Sequence, residues 1–481
     1  MATQTRSPRP TGGRARQDRG SAARASPWAV LVVMCLGYFL VLLDVTIVNV
    51  GLPQIGSGLH AGVSSLQWVV DGYALVLAAL MLAGGTFGDL RGHRRMALAG
   101  LVVFGAGSLG CGLAPTSTVL VAARAVQGIG AALLLPGTLA IISRAFPRPA
   151  EQARAIGVWA GVGSLALPAG PLLGGLLIAG FGWRAIFLLN VPIVGIALAA
   201  ALAIAPESIE SGGRRLDVRG VVLGTLFLLA VTFGVIQAGR TGASPAVIAA
   251  ALAAAASAGL FLLVERDRGS EAMLPLGLFR RPVFRVANGI AGAMNLGTLG
   301  TLFVLTLYLQ SVQHRSALSA GLALVPLFTP LAVIAPLAGR LTSRIGPRLP
   351  IAAGLMIAAA GLALLGVAGA GASYPYLLVA FLLWGCGLGV LTPAVVATAL
   401  GSVSRDRAGL ASGINNTARQ AGGAIGVAIA GAVAGSPADG GGFLSGFHAV
   451  ALGSGVLYVL AATMGVILIP RDGTSNLSSN G

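Results

Sequence analysis

Apolar residues recur in long runs almost from end to end of the chain, separated by short basic or Gly/Pro-rich breaks. A helix that crosses the hydrocarbon core of a bilayer needs about 20 predominantly apolar residues. Runs of that length predict fourteen spans, at 28–50, 66–87, 96–114, 117–142, 154–180, 185–205, 220–238, 246–264, 286–312, 317–339, 349–371, 375–400, 411–435 and 447–469. The first, from Trp28 to Val50, is longer than the apolar core of a cleaved signal, about 7 to 15 residues, and contains Asp44, so it reads as a retained span. The residues before it, rich in Arg, Ser, Pro and Gly, read as a disordered cytoplasmic tail.

Composition agrees with this reading. The chain is 56% hydrophobic and 9% charged, where a soluble domain carries about a quarter charged residues. A water-soluble fold cannot hide so much apolar surface, so membrane lipid is the solvent for most of the chain. A net charge of +17 in a soluble protein would point to nucleic acid. Here every one of the 31 basic residues is Arg, and they sit in the breaks instead of forming one face. With the amino terminus inside, all but five fall in cytoplasmic segments. Arg184, Arg240 and Arg315 lie in outer loops, and Arg124 and Arg419 lie inside spans. Miscounting by one helix would scramble this asymmetry, so it predicts a multi-pass cell-membrane protein with both termini cytoplasmic and no nucleic-acid partner.

A repeat is visible between two loops. GTFGDLRGHRR follows the second span and GRLTSRIGPR follows the tenth, with Gly85, Gly92 and Arg94 in the first matching Gly339, Gly346 and Arg348 in the second. Parallel halves of this kind build several transporter folds, with a cavity between them near the midplane. The predicted fold is all-α integral membrane, with fourteen transmembrane helices in two six-helix bundles and two extra helices between them. The boundaries are a basic tail (1–27), an N-terminal bundle (28–205), the inserted pair with its linkers (206–285), a C-terminal bundle (286–469) and a cytoplasmic tail (470–481).

Only fourteen acidic residues exist, and Asp44 and Asp71 are the two that interrupt apolar spans. A carboxylate at a helix centre costs about 2.5–3.5 kcal/mol on insertion scales, so it calls for a partner or a water-lined cavity. At about 1.5 Å of rise per residue, Asp44 lies roughly 24 Å from the inner face and Arg124 roughly 10 Å below the outer one, which are similar depths. If their helices are neighbours, the guanidinium favours the ionised carboxyl while desolvation opposes it, and a shift in that balance could load and release a proton. The alternative is a simple tether between helices, and it stands for Asp71 as well, which is expected nearer the outer interface.

The loop carrying Gly85, Asp89, Arg91, Gly92, Arg94 and Arg95 is a tight turn, with Asp89 placed to complement the amino end of the third span. Its arginines either pair with carboxylates or carbonyl ends of neighbouring helices or mark a topogenic basic loop. The fifth span carries Gly163, Gly170, Pro171, Gly174 and Gly175, which predict close helix packing and a bend. Asn49, Gln127, Asn415, Asn416, Arg419 and Gln420 are polar positions that either line a cavity or tie helices together. Cys35, Cys111 and Cys386 lie alone in apolar runs and the four histidines are scattered, so no metal site or cofactor is expected.

These segments together resemble the major facilitator superfamily, and within it the fourteen-helix branch of drug:proton antiporters, over nearly the whole length after residue 28. LDVTIVNVGLP (43–53) resembles the branch's first-helix motif, GTFGDLRGHRR the superfamily's loop signature, RAVQGIG (124–130) the fourth-helix motif and GPLLGG (170–175) the fifth-helix motif of exporters. WRAIFLLNVP (183–192) and GINNTARQAGGAIG are similar to the branch as well. The resemblance implies alternating access without a nucleotide. It gives proton coupling to Asp44 and Arg124, attraction of cationic substrates to Asp71, and a latch to Asp89, Arg91 and Arg95. Ala185 replaces a frequent aromatic, and Ser343 stands where the first loop has Asp89, so an asymmetric latch is expected.

The expected function is a proton-coupled exporter of small amphipathic or cationic compounds such as drugs or antibiotics, acting as a monomer with small-molecule substrate, protons and lipid as partners. The alternatives are a major-facilitator transporter of one endogenous metabolite or lipid precursor and, from another class, a polytopic membrane enzyme or sensor. An enzyme should cluster acid–base or metal-binding groups at one membrane face, and an ATP-driven pump should carry a phosphate-binding loop; neither pattern occurs in the sequence.

Overall fold

The computed structural model describes residues 26–146, 148–204, 217–268, 274, 276–403, 408–439 and 441–470. Residues 1–25 and 471–481 of the expected tails, all of the 206–216 linker, and Arg405 and Arg407 lie outside the described residues. The helices are α1 (Pro27–Gly58), α2 (Val63–Arg91), α3 (His93–Gly112), α4 (Ser117–Ala145), α5 (Pro149–Phe181), α6 (Ala185–Leu188), α7 (Asn190–Ile204), α8 (Val218–Thr241), α9 (Pro245–Arg268), α10 (Pro282–Leu307), α11 (Ala317–Ile345), α12 (Arg348–Leu365), α13 (Tyr374–Gly401), α14 (Ala408–Ala434) and α15 (Gly441–Leu468). A π-helical turn, Tyr308–Val312, extends α10.

Local chemistry sets the ends. Proline stands in the first turn of α1, α5, α10 and α13, where its missing N–H costs nothing. The side chains of Thr116, Asp217 and Ser316 accept from the N–H groups of Val119, Gly220 and Ser319, capping α4, α8 and α11. Among the described residues, thirteen helical stretches are long and apolar enough to cross a membrane, one fewer than the sequence pattern predicts. The difference falls at 154–180. There α5 is a single 33-residue helix, several of whose side chains up to Pro168 lie outside the described residues, so that Ala169–Phe181 is its described apolar stretch.

The packing repeats. In the first part α3 lies on α4, α2 on α4, α1 on α5 and α3 on α7; in the second, α12 lies on α13, α11 on α13, α10 on α14 and α12 on α15. Glycines mark the same crossings. A Cβ on Gly100 would come within 2.7 Å of the Gly130 carbonyl oxygen, and one on Gly354 within 2.7 Å of that of Gly387. The loop repeat has a backbone cause: Gly92 at φ 98° and Gly346 at φ 80° end α2 and α11 in the left-handed region that favours glycine. Between the two parts, α5 packs on α11 and α2 on α14, while α8 and α9 pack on each other and α8 also touches α14 and α2.

Candidate functional site

A buried polar network joins four helices of the first part. Asp44, in mid-α1, pairs with Arg124 of α4, and both side chains are at most 1% exposed. The guanidinium is further committed: its Nε donates to the Val69 carbonyl at 3.0 Å, its Nη1 donates to Gln127 Oε1 at 2.8 Å, and it lies 4.3 Å from the centre of the Tyr73 ring. Gln127, one turn along α4, donates to Asp44 Oδ1 at 3.3 Å and to Ser108 Oγ of α3 at 2.7 Å. Asn190, the first residue of α7, donates to the same Asp44 oxygen and to Ser108, each at 3.3 Å. The Cys111 thiol donates to Gln127 Oε1 at 3.2 Å. Each polar group here is satisfied by another, which is what allows charges to stand in a low-dielectric interior.

Chain geometry explains how these groups meet. Gly182, at φ 79°, ends α5; one turn of helix, α6, follows, and α7 then begins at Asn190 pointing back into the bundle. Sequence reasoning named Asp44, Arg124 and Gln127 but not Ser108 or Asn190. The available signal for Asn190 was an amide opening an otherwise apolar run.

Other expected site residues are distributed more widely. Asp71, the ninth residue of α2, is fully enclosed, and neither of its carboxyl oxygens has a hydrogen-bond partner among the described residues. Asn49 donates to Val45 of its own helix at 2.9 Å, and Asn415 donates to Asn288 of α10 at 3.2 Å. Asn416, Arg419 and Gln420 are half-buried on α14. In the loop after α2, Arg91 and Arg95 are exposed, and Arg94 donates to the Leu202 carbonyl of α7 at 2.8 Å. The Asp89 side chain lies outside the described residues. Gly85 sits 3.7 Å from Pro136 and Gly339 sits 3.8 Å from Pro393, each measured from an added Cβ, so the repeat extends to these contacts.

The fifth-helix glycines face two partners. A Cβ on Gly170 would collide with Thr46 and Ile47 of α1, and one on Gly174 would press on Ile47; one on Gly175 would reach within 2.7 Å of Leu318 in α11, whose Gly321 packs on the Pro171 carbonyl. Gly163 leaves room for the Tyr38 ring. Two glutamines cross between the parts. Gln67 of α2 donates to the Ala428 carbonyl of α14 at 2.9 Å, and Gln310 in the π-helical turn donates to the Val50 carbonyl of α1 at 2.8 Å. Both lie toward the end of the bundle opposite the amino terminus of α1. Neither glutamine was singled out from the sequence.

Comparison with known proteins places this architecture. The model of the Major Facilitator Superfamily matches residues 34–427, and the chain belongs to that superfamily. It is 38% identical over 404 residues to the multidrug resistance protein Stp of Mycobacterium tuberculosis, covering 84% of this chain and 75% of that one. It is 34% identical over 462 residues to the puromycin resistance protein pur8 of Streptomyces alboniger, covering 92% of each. It is also 33% identical over 412 residues to the tetracenomycin C resistance and export protein of Streptomyces glaucescens, covering 85% and 76%. Among solved structures, the nucleoside transporter NupG (D323A mutant) superposes with a TM-score of 0.64 at 10% identity, over 92% of this chain and all of that one. The human organic anion transporter MFSD10 gives 0.63 at 16%, over 91% and 99%. The chain is thus a multi-pass membrane transporter of this superfamily and not an enzyme.

Proposed function

We propose that this transporter is a proton-coupled antiporter that exports small amphipathic compounds, drugs or antibiotics among them, across the cell membrane by alternating access. The observation that carries the reading is the enclosed Asp44–Arg124 pair. It is an ion pair enclosed in the helix bundle and held by Gln127 and Asn190, where apolar side chains of similar volume would serve stability as well. In this reading Asp44 loads and releases the proton and Arg124 answers its charge. Asp71, enclosed without a partner, is a second place where a proton is held, because an unpaired carboxylate in such surroundings is costly. One charge moved across about 100 mV is worth about 2.3 kcal/mol, enough to drive a two-state cycle.

The same reading assigns fourteen spans, α5 included, in two six-helix halves, with α8 and α9 inserted between them and both termini cytoplasmic. The Gln67 and Gln310 contacts then close the outer side, so the structure faces inward. The relatives' resistance and export names favour drug-like cargo over a single endogenous metabolite. The test is dissipation of a pH gradient in everted vesicles. Adding a cationic dye, puromycin or a tetracyclic antibiotic should release protons from vesicles containing the protein and not from vesicles without it. Export that persists unchanged when the pH gradient and membrane potential are both collapsed would refute proton coupling.

A further inference from the structure

Arg124 and Arg419 interrupt the apolar spans read from the sequence, and their surroundings are opposite. Arg124 is neutralised by a carboxylate, bonded to a carbonyl and an amide, and stacked on Tyr73. Arg419, in mid-α14, has neither an ion pair nor a hydrogen bond among the described residues, and its Nε is enclosed without a partner. A guanidinium cannot shed its charge in a protein. A permanent cation held in the bundle interior with no counter-charge marks a site completed by something that the chain itself does not supply.

The neighbourhood defines what would complete it. The Tyr38 hydroxyl of α1 lies within electrostatic reach of Arg419, and both side chains are half-buried. Tyr38 is stacked on Trp159 of α5, with ring centres 3.9 Å apart and planes inclined by 15°. Trp159 Nε1 is a second enclosed donor without a partner. Tyr38 is the twelfth residue of α1, Trp159 the eleventh of α5 and Arg419 the twelfth of α14, so all three stand about 15–17 Å from the inner ends of their helices. All three keep part of their surface accessible, unlike the fully enclosed Asp44 network. The local set is a cation, an indole N–H and a flat aromatic wall; among the described residues no acidic side chain pairs with the cation.

We propose that Arg419 and the Tyr38–Trp159 stack form a binding site for an organic anion with a flat aromatic body, whose carboxylate or enolate accepts from the guanidinium while its ring lies along the stack. A planar fork of donors suits a delocalised oxyanion, and a hydrocarbon-like surrounding strengthens the contact. This inference rests on the export reading above and gives this site its own substrate class, amphipathic anions, beside the cations that Asp71 suggested from sequence.

The experiment is equilibrium binding of radiolabelled 2-naphthoate to the purified full-length protein in detergent, with 2-naphthamide and 2-naphthylmethylammonium as neutral and cationic counterparts. Wild type should bind naphthoate at least about tenfold tighter than naphthamide. Arg419→Gln should abolish that preference, with thermal unfolding followed by tryptophan fluorescence reporting that the variant is folded; Arg419→Lys should restore part of it. Formate should compete at least a hundredfold less well than naphthoate. Absence of saturable naphthoate binding, equal or tighter binding of the ammonium analogue, or an undiminished anion preference in Arg419→Gln would each overturn the proposal. Binding requires no proton gradient, so failure of proton-coupled export with this binding intact would count against the antiporter reading alone.

Discussion

Replacing Asp44 by asparagine keeps the size of the side chain but removes its charge and one of its acceptors. In the native network both carboxyl oxygens accept: one from Arg124, the other from Gln127 and Asn190. An asparagine oxygen can still face Arg124, but its NH2 group then meets the NH2 groups of Gln127 and Asn190. Gln127 cannot turn its oxygen around without giving up its bonds from Arg124 and Cys111. Breaking a buried pair by removing one partner costs about 3–5 kcal/mol. Arg124 retains Val69, Gln127 and the Tyr73 face, which puts the loss near the lower end, about 3 kcal/mol. For a bundle of about 180 residues that corresponds to a fall in Tm of about 6–12 °C. The double variant Asp44→Asn with Arg124→Gln removes the stranded charge as well and should recover at least half of the loss, while neither variant should dissipate a pH gradient on addition of substrate. Thermal unfolding followed by tryptophan fluorescence, together with the everted-vesicle assay, measures both quantities. An Asp44→Asn protein with unchanged Tm and full proton-coupled export would refute the reasoning, because the pair would then carry neither stability nor coupling.

The seals between the halves give further expectations. Gln67→Ala removes a buried hydrogen bond worth about 1 kcal/mol, so an Ala428→Cys probe should react several-fold faster with an impermeant thiol reagent applied outside; an unchanged rate would remove Gln67 from the outer seal. Gly170→Ala places a methyl group against Thr46 and Ile47, and the overpacking should cost about 1–3 kcal/mol and slow export, whereas Gly180→Ala, whose added Cβ meets nothing within 4 Å, should be neutral in both thermal and transport assays.

How much of this was legible beforehand differs from residue to residue. Asp44 and Arg124 could be matched because helical rise converts sequence position into depth, and a charge in an apolar run stands out. Gln127 follows by its one-turn spacing from Arg124. Asn190 was hidden because its orientation depends on the short α6 turn, which interrupts what reads as one continuous apolar run from 185 to 205. The complete enclosure of the Asp71 carboxyl was not legible, because burial depends on packing around α2 and not on position along it; α2 begins at Val63, four residues before Gln67. The glutamine seals were beyond reach for a different reason. They join residues hundreds of positions apart, and only one arrangement of the halves brings them together.

The Asp44 network has one consequence for how coupling must operate. Asp44, Ser108, Arg124 and Asn190 all belong to α1, α3, α4 and α7, the same half. A rigid tilt of one half against the other would carry all of them along together and leave every one of their bonds intact. In the proposed cycle, proton exchange at Asp44 therefore demands a deformation inside the half itself, and the backbone offers two weak points where a hydrogen bond is already missing: Pro53 within α1 and Pro136 within α4. Flexing at those prolines, and not the swing of the bundles, is then the step whose rate a change of solvent isotope should reach.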